Sequence, residues 1–159
     1  SIGTLIERPN FFNNLSAFDN LKYFSIQKGK SSDAEIKNML QMVGLPNNSK
    51  HFSSFSLGMK QRLGIALALI FRPEILILDE PVNGLDPEGI RDIRKILLKI
   101  NRDYGTTILI SSHILTELEE VSDSYIFIEN LLRKGDVVLF KGSHGIKLGN
   151  IVKYLVDNR

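Results

Sequence analysis

Two adjacent carboxylates, Asp79 and Glu80, directly follow a run of apolar residues at 75–78. A short run that is apolar at every position is typical of a strand covered on both faces in a parallel sheet. In open α/β sheets, ligands bind outside the carboxyl ends of such strands, so we expect the two acids on that rim. One acid could hold Mg²⁺ and the next could polarise an attacking water, although solvated acids also end many strands.

Two further motifs suit chemistry on a phosphate. Ser112 and His113 follow a second predicted strand at 106–110, which places them on the same rim. Ser56 precedes a predicted helix with Gly58 in its first turn, and a helix amino terminus attracts phosphate through its unpaired N–H groups and its dipole. Taken alone, His113 fits a packed or helix-capping histidine, and Ser56 fits a helix cap that binds no ligand. The order of the motifs along the chain therefore has to decide between these structural interpretations and a role in phosphate chemistry.

The elements that must position these residues alternate along the chain. Helices are predicted at 16–26, 32–44, 56–72 and 86–105, and strands at 75–78, 106–110 and 125–128, with a further helix between the last two strands. Ser32 and Glu35 form a capping box, Asp86 is a helix cap, and Gly105 is a helix stop. Strand and helix alternate from residue 73 onward, which favours a parallel α/β sheet.

Composition limits the class of protein. A chain of 159 residues is long enough for one domain with a core. Its 43% hydrophobic and 24% charged residues exclude disorder, and the absence of cysteine excludes a disulfide scaffold and a thiolate metal site. A net charge of +2 gives no support to nucleic-acid binding. The apolar stretches fall short of the ~20 residues of a membrane span, so we expect any link to a membrane through a partner.

In order and spacing, the motifs resemble those of the later part of an ATP-binding cassette (ABC) ATPase, the nucleotide-binding subunit of ABC transporters. Residues 55–59 resemble the signature motif, 75–80 the Walker B strand with its catalytic glutamate, 82–86 the D-loop and 111–113 the switch histidine. The resemblance covers about residues 1–140. It implies part of a P-loop NTPase domain of the α/β class, with a helical subdomain and part of a parallel sheet flanked by helices.

The resemblance divides the chain into four segments. Residues 1–9 are the Q-loop region, 10–72 the helical subdomain that ends in the signature motif and its helix, 73–140 part of the RecA-like core, and 141–159 a tail without an assigned role. It also implies ATP and Mg²⁺ as ligands. Asp79 and Glu7 would hold Mg²⁺, with Glu7 also near the nucleotide, while Glu80 would deprotonate water and His113 would contact the γ-phosphate.

The signature motif implies a second copy of the cassette. In the family this surface completes the ATP site of the opposite subunit, so Ser56 and Gly58 would bind a nucleotide held mainly by the partner cassette. The pair would be a homodimer or a heterodimer in head-to-tail arrangement. Asp86 would organise the seam between the two cassettes.

Three residues depart from the usual family pattern. Leu57 replaces the first glycine of the signature motif, Met59 replaces its glutamine, and Glu7 stands where the Q-loop usually has glutamine. We expect phosphate contact to be kept with altered strength, and a carboxylate beside triphosphate to change affinity or coupling. The combination resembles the bacitracin-resistance and lantibiotic-immunity branch of ABC exporters.

A phosphate loop is missing from these residues. The Gly-Lys-Ser sequence at 29–31 matches only the end of a phosphate loop, because the glycine five residues earlier and a preceding strand are both missing. We interpret it as a turn. We therefore expect the phosphate loop, the adenine-binding subdomain and at least two strands to precede Ser1 in the natural protein. The 159 residues alone are then expected to expose one edge and one face of the sheet, and to hydrolyse no ATP.

The expected function is that of an ATPase subunit that drives export of a peptide antibiotic or a similar substrate. The resemblance implies permease subunits docked on the segment at 10–52, and a location in the cytoplasm on the inner face of the membrane. Two alternatives stay open: a soluble ABC ATPase that acts on ribosomes or DNA, and a non-catalytic regulatory remnant. The low net charge and the lack of a long coiled coil stand against the first of these.

Overall fold

The computed structural model describes residues 1–6, 10–27, 29 and 32–112, together with the backbone of residues 138–140. Its elements are β1 (Ile2–Leu5), α1 (Ala17–Gln27), α2 (Asp33–Met42), a 3-10 helix (Phe52–Ser54), α3 (Leu57–Leu69), β2 (Ile75–Asp79), α4 (Pro87–Tyr104), β3 (Thr107–Ser111) and β4 (Val138–Phe140). Glu7, His113, the strand predicted at 125–128 and the tail at 141–159 lie outside the described residues, as does most of the turn at 29–31.

The sheet has the strand order β1-β2-β3-β4, and its first three strands are parallel. Leu5 pairs with Leu78, and Asp79 pairs with Ser111 at the carboxyl end of the sheet. The parallel sheet and the strands at 75–78 and 106–110 are thereby confirmed within one residue. Strand β1 and strand β4, which joins β3 in the antiparallel direction, were not predicted.

The two faces of the sheet differ in burial. The residues Leu76, Leu78, Ile108 and Ile110 share one face, where each is at most 2% exposed. On the other face Ile75 and Ile77 are half-buried, whereas their partners on β3, Thr107 and Leu109, are 0% and 8% exposed. Helix α3 packs on the Leu76 side. The prediction that 75–78 is covered on both faces is therefore confirmed on that side and met only in part on the other, where Ile75 and Ile77 keep some exposure.

Strand β1 forms an edge of this sheet. On its open face Ile2 is 63% exposed, and Ile6 just beyond the strand is 64% exposed. Gly3 and Leu5 point to the covered face instead and are buried. Among the described strands, the open edge at β1 agrees with the expectation that these 159 residues expose one edge of the sheet, while the second face is exposed only in part.

The helix caps follow the sequence closely because capping is a local interaction. Ser32 Oγ accepts a hydrogen bond from the Glu35 N–H at 3.3 Å, which is half of the predicted capping box. Asp86 Oδ1 accepts one from the Gly89 N–H at 3.0 Å. Gly105 ends α4 with a φ of +63°, a conformation that glycine adopts without strain. None of the described helices is both long and apolar enough to cross a membrane.

A buried asparagine fastens the loop before α1. Asn20 is fully buried, and its Oδ1 accepts a hydrogen bond from the Phe12 N–H at 2.8 Å. Its Nδ2 donates to the Phe12 carbonyl at 3.2 Å. This double contact fixes Phe11 inside the helical core, where its ring lies 5.1 Å from that of Phe52, and leaves Phe12 on the surface.

Gly3 provides a stability test of the packing between α3 and β1. A methyl group at this position would lie 2.3 Å from the Ala68 carbonyl oxygen and 2.8 Å from Pro73 Cγ. Gly3→Ala is therefore expected to lower the free energy of unfolding by about 1 to 3 kcal/mol through overpacking. Urea denaturation of the full-length gene product measures this change. Thr4→Ala, at an exposed site on the same strand, is the control, and equal stability of the two variants would contradict the packing.

Candidate functional site

The carboxyl ends of β2 and β3 meet at one serine hydroxyl. Ser111 Oγ donates a hydrogen bond to Asp79 Oδ1 and accepts one from the Glu80 N–H at 3.1 Å. The same N–H also points to the Ser111 carbonyl at 3.2 Å. Ser111 thus fixes the side chain of one acid and the backbone of the next.

Glu80 has a left-handed backbone, with a φ of +49°. A residue with a Cβ pays for this conformation with about 1 to 3 kcal/mol of strain. The bonds to Ser111 hold the residue on one side, and the Asn83 N–H donates to the Glu80 carbonyl at 3.1 Å on the other. Strand β2 ends at the exposed Asp79, and the half-buried Glu80 begins the turn that follows it.

Helix α3 begins at the surface. Ser56 is exposed, and its Oγ accepts a hydrogen bond from the Met59 N–H at 3.3 Å. Arg62 fastens this first turn to the end of α2, because its Nε donates to the Gly58 carbonyl at 3.3 Å and its Nη1 to the Gly44 carbonyl at 3.1 Å. The helix end therefore presents N–H groups to solvent from a fixed position.

The segment at 82–86 connects Glu80 to α4. The Leu85 N–H donates to the Val82 carbonyl at 3.2 Å, and Gly84 has a φ of +74°. Asp86 then caps α4 from an exposed position. The Leu85 side chain lies near Gly58 and the Leu57 side chain lies near Gly84, so the segment before α4 and the start of α3 are neighbours.

The structure brings together most of the described residues that the sequence singles out. Asp79 and Glu80 lie on one rim, and Ser56 and Gly58 lie beside the segment before Asp86. The roles expected for Glu7 and His113 concern residues outside the described ranges.

Sequence reasoning missed the contribution of two residues. Ser111 was part of a recognised motif, and the signal for its contact with Asp79 is that both polar residues end neighbouring strands. Arg62 donates its hydrogen bond to the carbonyl of Gly44, a residue of a different element, so no local pattern in the sequence indicates the contact.

The chemistry of the rim suits a hard cation. Asp79 offers exposed carboxylate oxygens next to a hydroxyl, and Mg²⁺ prefers oxygen ligands of this kind. Within the described part of the chain, no group of three or more His, Asp or Glu residues could hold a metal ion. A cation here would therefore need further oxygens, and Mg²⁺ commonly takes them from water and substrate phosphates.

Comparison with known sequences gives a consistent family. The model of a family described as "ABC transporter" matches residues 1–83. The bacitracin transport ATP-binding protein BcrA of Enterococcus faecalis is 50% identical over 123 residues, which are 77% of this chain and 40% of the relative. The lantibiotic transport ATP-binding protein SrtF of Streptococcus pyogenes is 48% identical over 145 residues, 91% of this chain and 61% of the relative.

Solved structures give the same fold. The cbiO1 protein of Clostridium perfringens, part of the ABC transporter complex cbiONQ, superposes with a TM-score of 0.63 at 33% identity, over 72% of this chain and 48% of its own. The dimeric ATP-binding cassette MJ0796 bound to ADP and Pi gives 0.62 at 26% identity, over 73% and 53%. The chain thus spans about 40% to 61% of the length of the relatives BcrA and SrtF.

Replacement of Ser111 tests the hydrogen bonds that connect the two acids. Ser111→Ala removes the hydrogen bond to Asp79 and one of the two acceptors of the Glu80 N–H, and is expected to cost about 1 kcal/mol of stability. Ser111→Thr retains the hydroxyl and should stay near the wild-type value. Chemical denaturation of the full-length gene product measures both variants. A loss for threonine as large as that for alanine would contradict a role for the hydroxyl.

Proposed function

The chain belongs to the ABC transporter family, and we propose that it forms the signature, Walker B and switch part of a nucleotide-binding subunit that couples ATP hydrolysis to export of a peptide antibiotic. The observation that carries the proposal is the pair of hydrogen bonds by which the Ser111 hydroxyl joins Asp79 to the backbone of Glu80 at the sheet rim. The substrate class is supported by the names of two relatives, which concern bacitracin and lantibiotic transport. The proposal applies to the whole subunit, of which these residues are one part.

Hydrolysis is assigned to the rim. Asp79, oriented by Ser111, would hold Mg²⁺ with Glu7, and the bound ion would supply charge neutralisation on the phosphates. Glu80 would accept a proton from a water whose oxygen bonds to the γ-phosphorus, while the bond from that phosphorus to the β–γ bridging oxygen breaks. His113 would contact the γ-phosphate. The strained backbone of Glu80 supports this assignment, because strain of this kind concentrates at active sites.

The exposed start of α3 is proposed to serve the nucleotide of a second cassette. Ser56 and the Gly58 amide lie at a helix amino terminus whose dipole favours an anion. Asp86, beside them, would lie at the seam of the pair. The dimeric state of one structural relative supports this arrangement.

An aromatic patch on the helical part is proposed to dock the membrane subunits. Phe12 is 41% exposed, Tyr23 is 42% exposed, and their ring centroids lie 4.7 Å apart. Ile26, one turn along α1, extends the apolar surface. A patch of this type is a common protein-binding surface. Docking there would hold the subunit at the inner face of the membrane.

Glu80→Gln tests the catalytic assignment. The amide cannot accept the proton of water, so steady-state ATP hydrolysis by the full-length gene product is expected to fall by at least ~100-fold. Binding of a fluorescent ATP analogue should persist. Glu88→Gln, which alters an exposed acid in the first turn of α4, serves as the matched control and should retain turnover.

The same assay separates the alternatives. Undiminished hydrolysis in Glu80→Gln would refute the role of this acid. A wild-type protein that binds ATP without turnover would instead support the regulatory alternative.

Tyr23→Lys tests the docking patch. A charge in the patch should reduce co-purification of the subunit with its proposed permease subunits by at least about tenfold, since a buried unpaired charge costs several kcal/mol. ATP hydrolysis by the isolated subunit should change little. Tyr104→Lys is the matched control, because Tyr104 is also helical and 40% exposed. Equal loss of co-purification in both variants would argue against this surface.

A further inference from the structure

Two leucines interlock the start of α3 with the segment at 82–86. A methyl group on Gly84 would lie 3.3 Å from Leu57 Cδ2, and one on Gly58 would lie 3.9 Å from Leu85 Cδ2. Each leucine therefore lies over a glycine of the other segment. Both leucines are half-buried, and Leu85 also packs against the hydrophobic core. The space at Gly84 is the tighter of the two, and its φ of +74° adds a second reason for glycine.

The segment that Leu57 touches is hydrogen-bonded to the backbone of Glu80. The Asn83 N–H donates to the Glu80 carbonyl at 3.1 Å, and the Leu85 N–H donates to the Val82 carbonyl at 3.2 Å. Gly84 lies within the second of these two overlapping turns. A displacement of Gly84 would therefore reach Glu80 through a short and continuous chain of backbone contacts.

We infer that Leu57 is a positioning residue that holds the 82–86 segment against α3, so that Ser56 and Glu80 keep a fixed relation. The inference rests on the proposed function, in which these residues serve two nucleotide sites of one dimer. Glycine, the usual residue of the signature motif at this position, has no side chain to make the contact. Leu57 in place of glycine thus adds a packing contact that links the signature motif to Glu80, which serves the neighbouring nucleotide site.

The first test reads the position of the segment without any turnover. The chain has no cysteine of its own, so Asn83→Cys provides a single labelling site within it, on an exposed residue of the segment. The full-length gene product is labelled after replacement of any cysteine outside these residues by serine. Fluorescence anisotropy of the label should fall when Leu57→Ala is added, because the segment gains freedom. Leu57→Met retains a long apolar side chain and should keep the wild-type anisotropy. Unchanged anisotropy in Leu57→Ala would overturn the inference.

The second test separates positioning from phosphate binding. Leu57→Ala is expected to lower kcat for ATP roughly fivefold, a typical size for energetic coupling between sites. The KM for ATP should change by less than about twofold, since the phosphate-facing atoms of Ser56 and Gly58 remain. A rise in KM with an unchanged kcat would overturn the inference and assign Leu57 to nucleotide binding.

A double-mutant cycle checks the contact itself. Gly84→Ala should lower kcat in the wild type, and this loss should shrink in the Leu57→Ala background because the crowding is relieved. Gly105→Ala imposes a similar backbone strain, at a φ of +63°, with nothing within 4 Å of its methyl group, so its effect should not depend on Leu57. Additive losses for Leu57 and Gly84 would contradict the inference. A wild type without turnover would refute the proposed function, and the anisotropy comparison would still decide whether Leu57 holds the segment.

Discussion

The parallel register of β2 and β3 is the constraint on which the site depends. Side chains on a strand alternate between faces, so a slip of one residue would turn Ser111 away from Asp79. The same slip would move Ile108 and Ile110 off the face that they share with Leu76 and Leu78. Burial of these apolar side chains therefore fixes the position of a polar contact at the end of the strands. The pairing of β2 with β3 therefore determines both the burial of the core side chains and the positions of the two acids.

Helix α3 extends this constraint to the helical part of the chain. Near its carboxyl end, the carbonyl of Ala68 lies over Gly3, close enough that β1 can carry only a glycine there. At its amino end Arg62 joins the helix to the end of α2 through the Gly44 carbonyl. One rigid helix thus spans from the sheet to Ser56. Contacts at both ends of α3, with Gly3 and with Gly44, therefore fix where its exposed amino terminus lies.

Local signals made a large part of this arrangement predictable. The caps at Ser32, Ser56 and Asp86 and the stop at Gly105 depend on residues within one turn, and the observed helices begin and end close to the predicted positions. The adjacent acids at the end of β2 could be identified because a continuous apolar run precedes them. Their assignment to a sheet rim needed only the general behaviour of parallel sheets.

The remainder depended on contacts between distant segments. Strand β1 has four residues including a glycine, so its conformation comes from pairing with β2 and carries little signal of its own. The expectation of two covered faces is met only in part at β2, where Ile75 and Ile77 are half-buried, because burial depends on which elements pack on each side. No pattern in the sequence indicates the left-handed backbone of Glu80 or the approach of Leu57 to Gly84. Both are products of tertiary structure.

The left-handed backbone at Glu80 creates a conflict between stability of the fold, which favours glycine at this position, and retention of a carboxylate there. Glycine would adopt this φ without strain, so among possible residues at this position it is the one that relaxes the backbone. Glycine also has no carboxylate. Selection for stability alone would thus favour loss of the acid. Under the catalytic role proposed for Glu80, selection for turnover would retain the acid despite the strain. On that proposal, a lineage released from hydrolysis is expected to drift toward glycine at this position, so the residue found there would mark whether a descendant cassette still hydrolyses ATP.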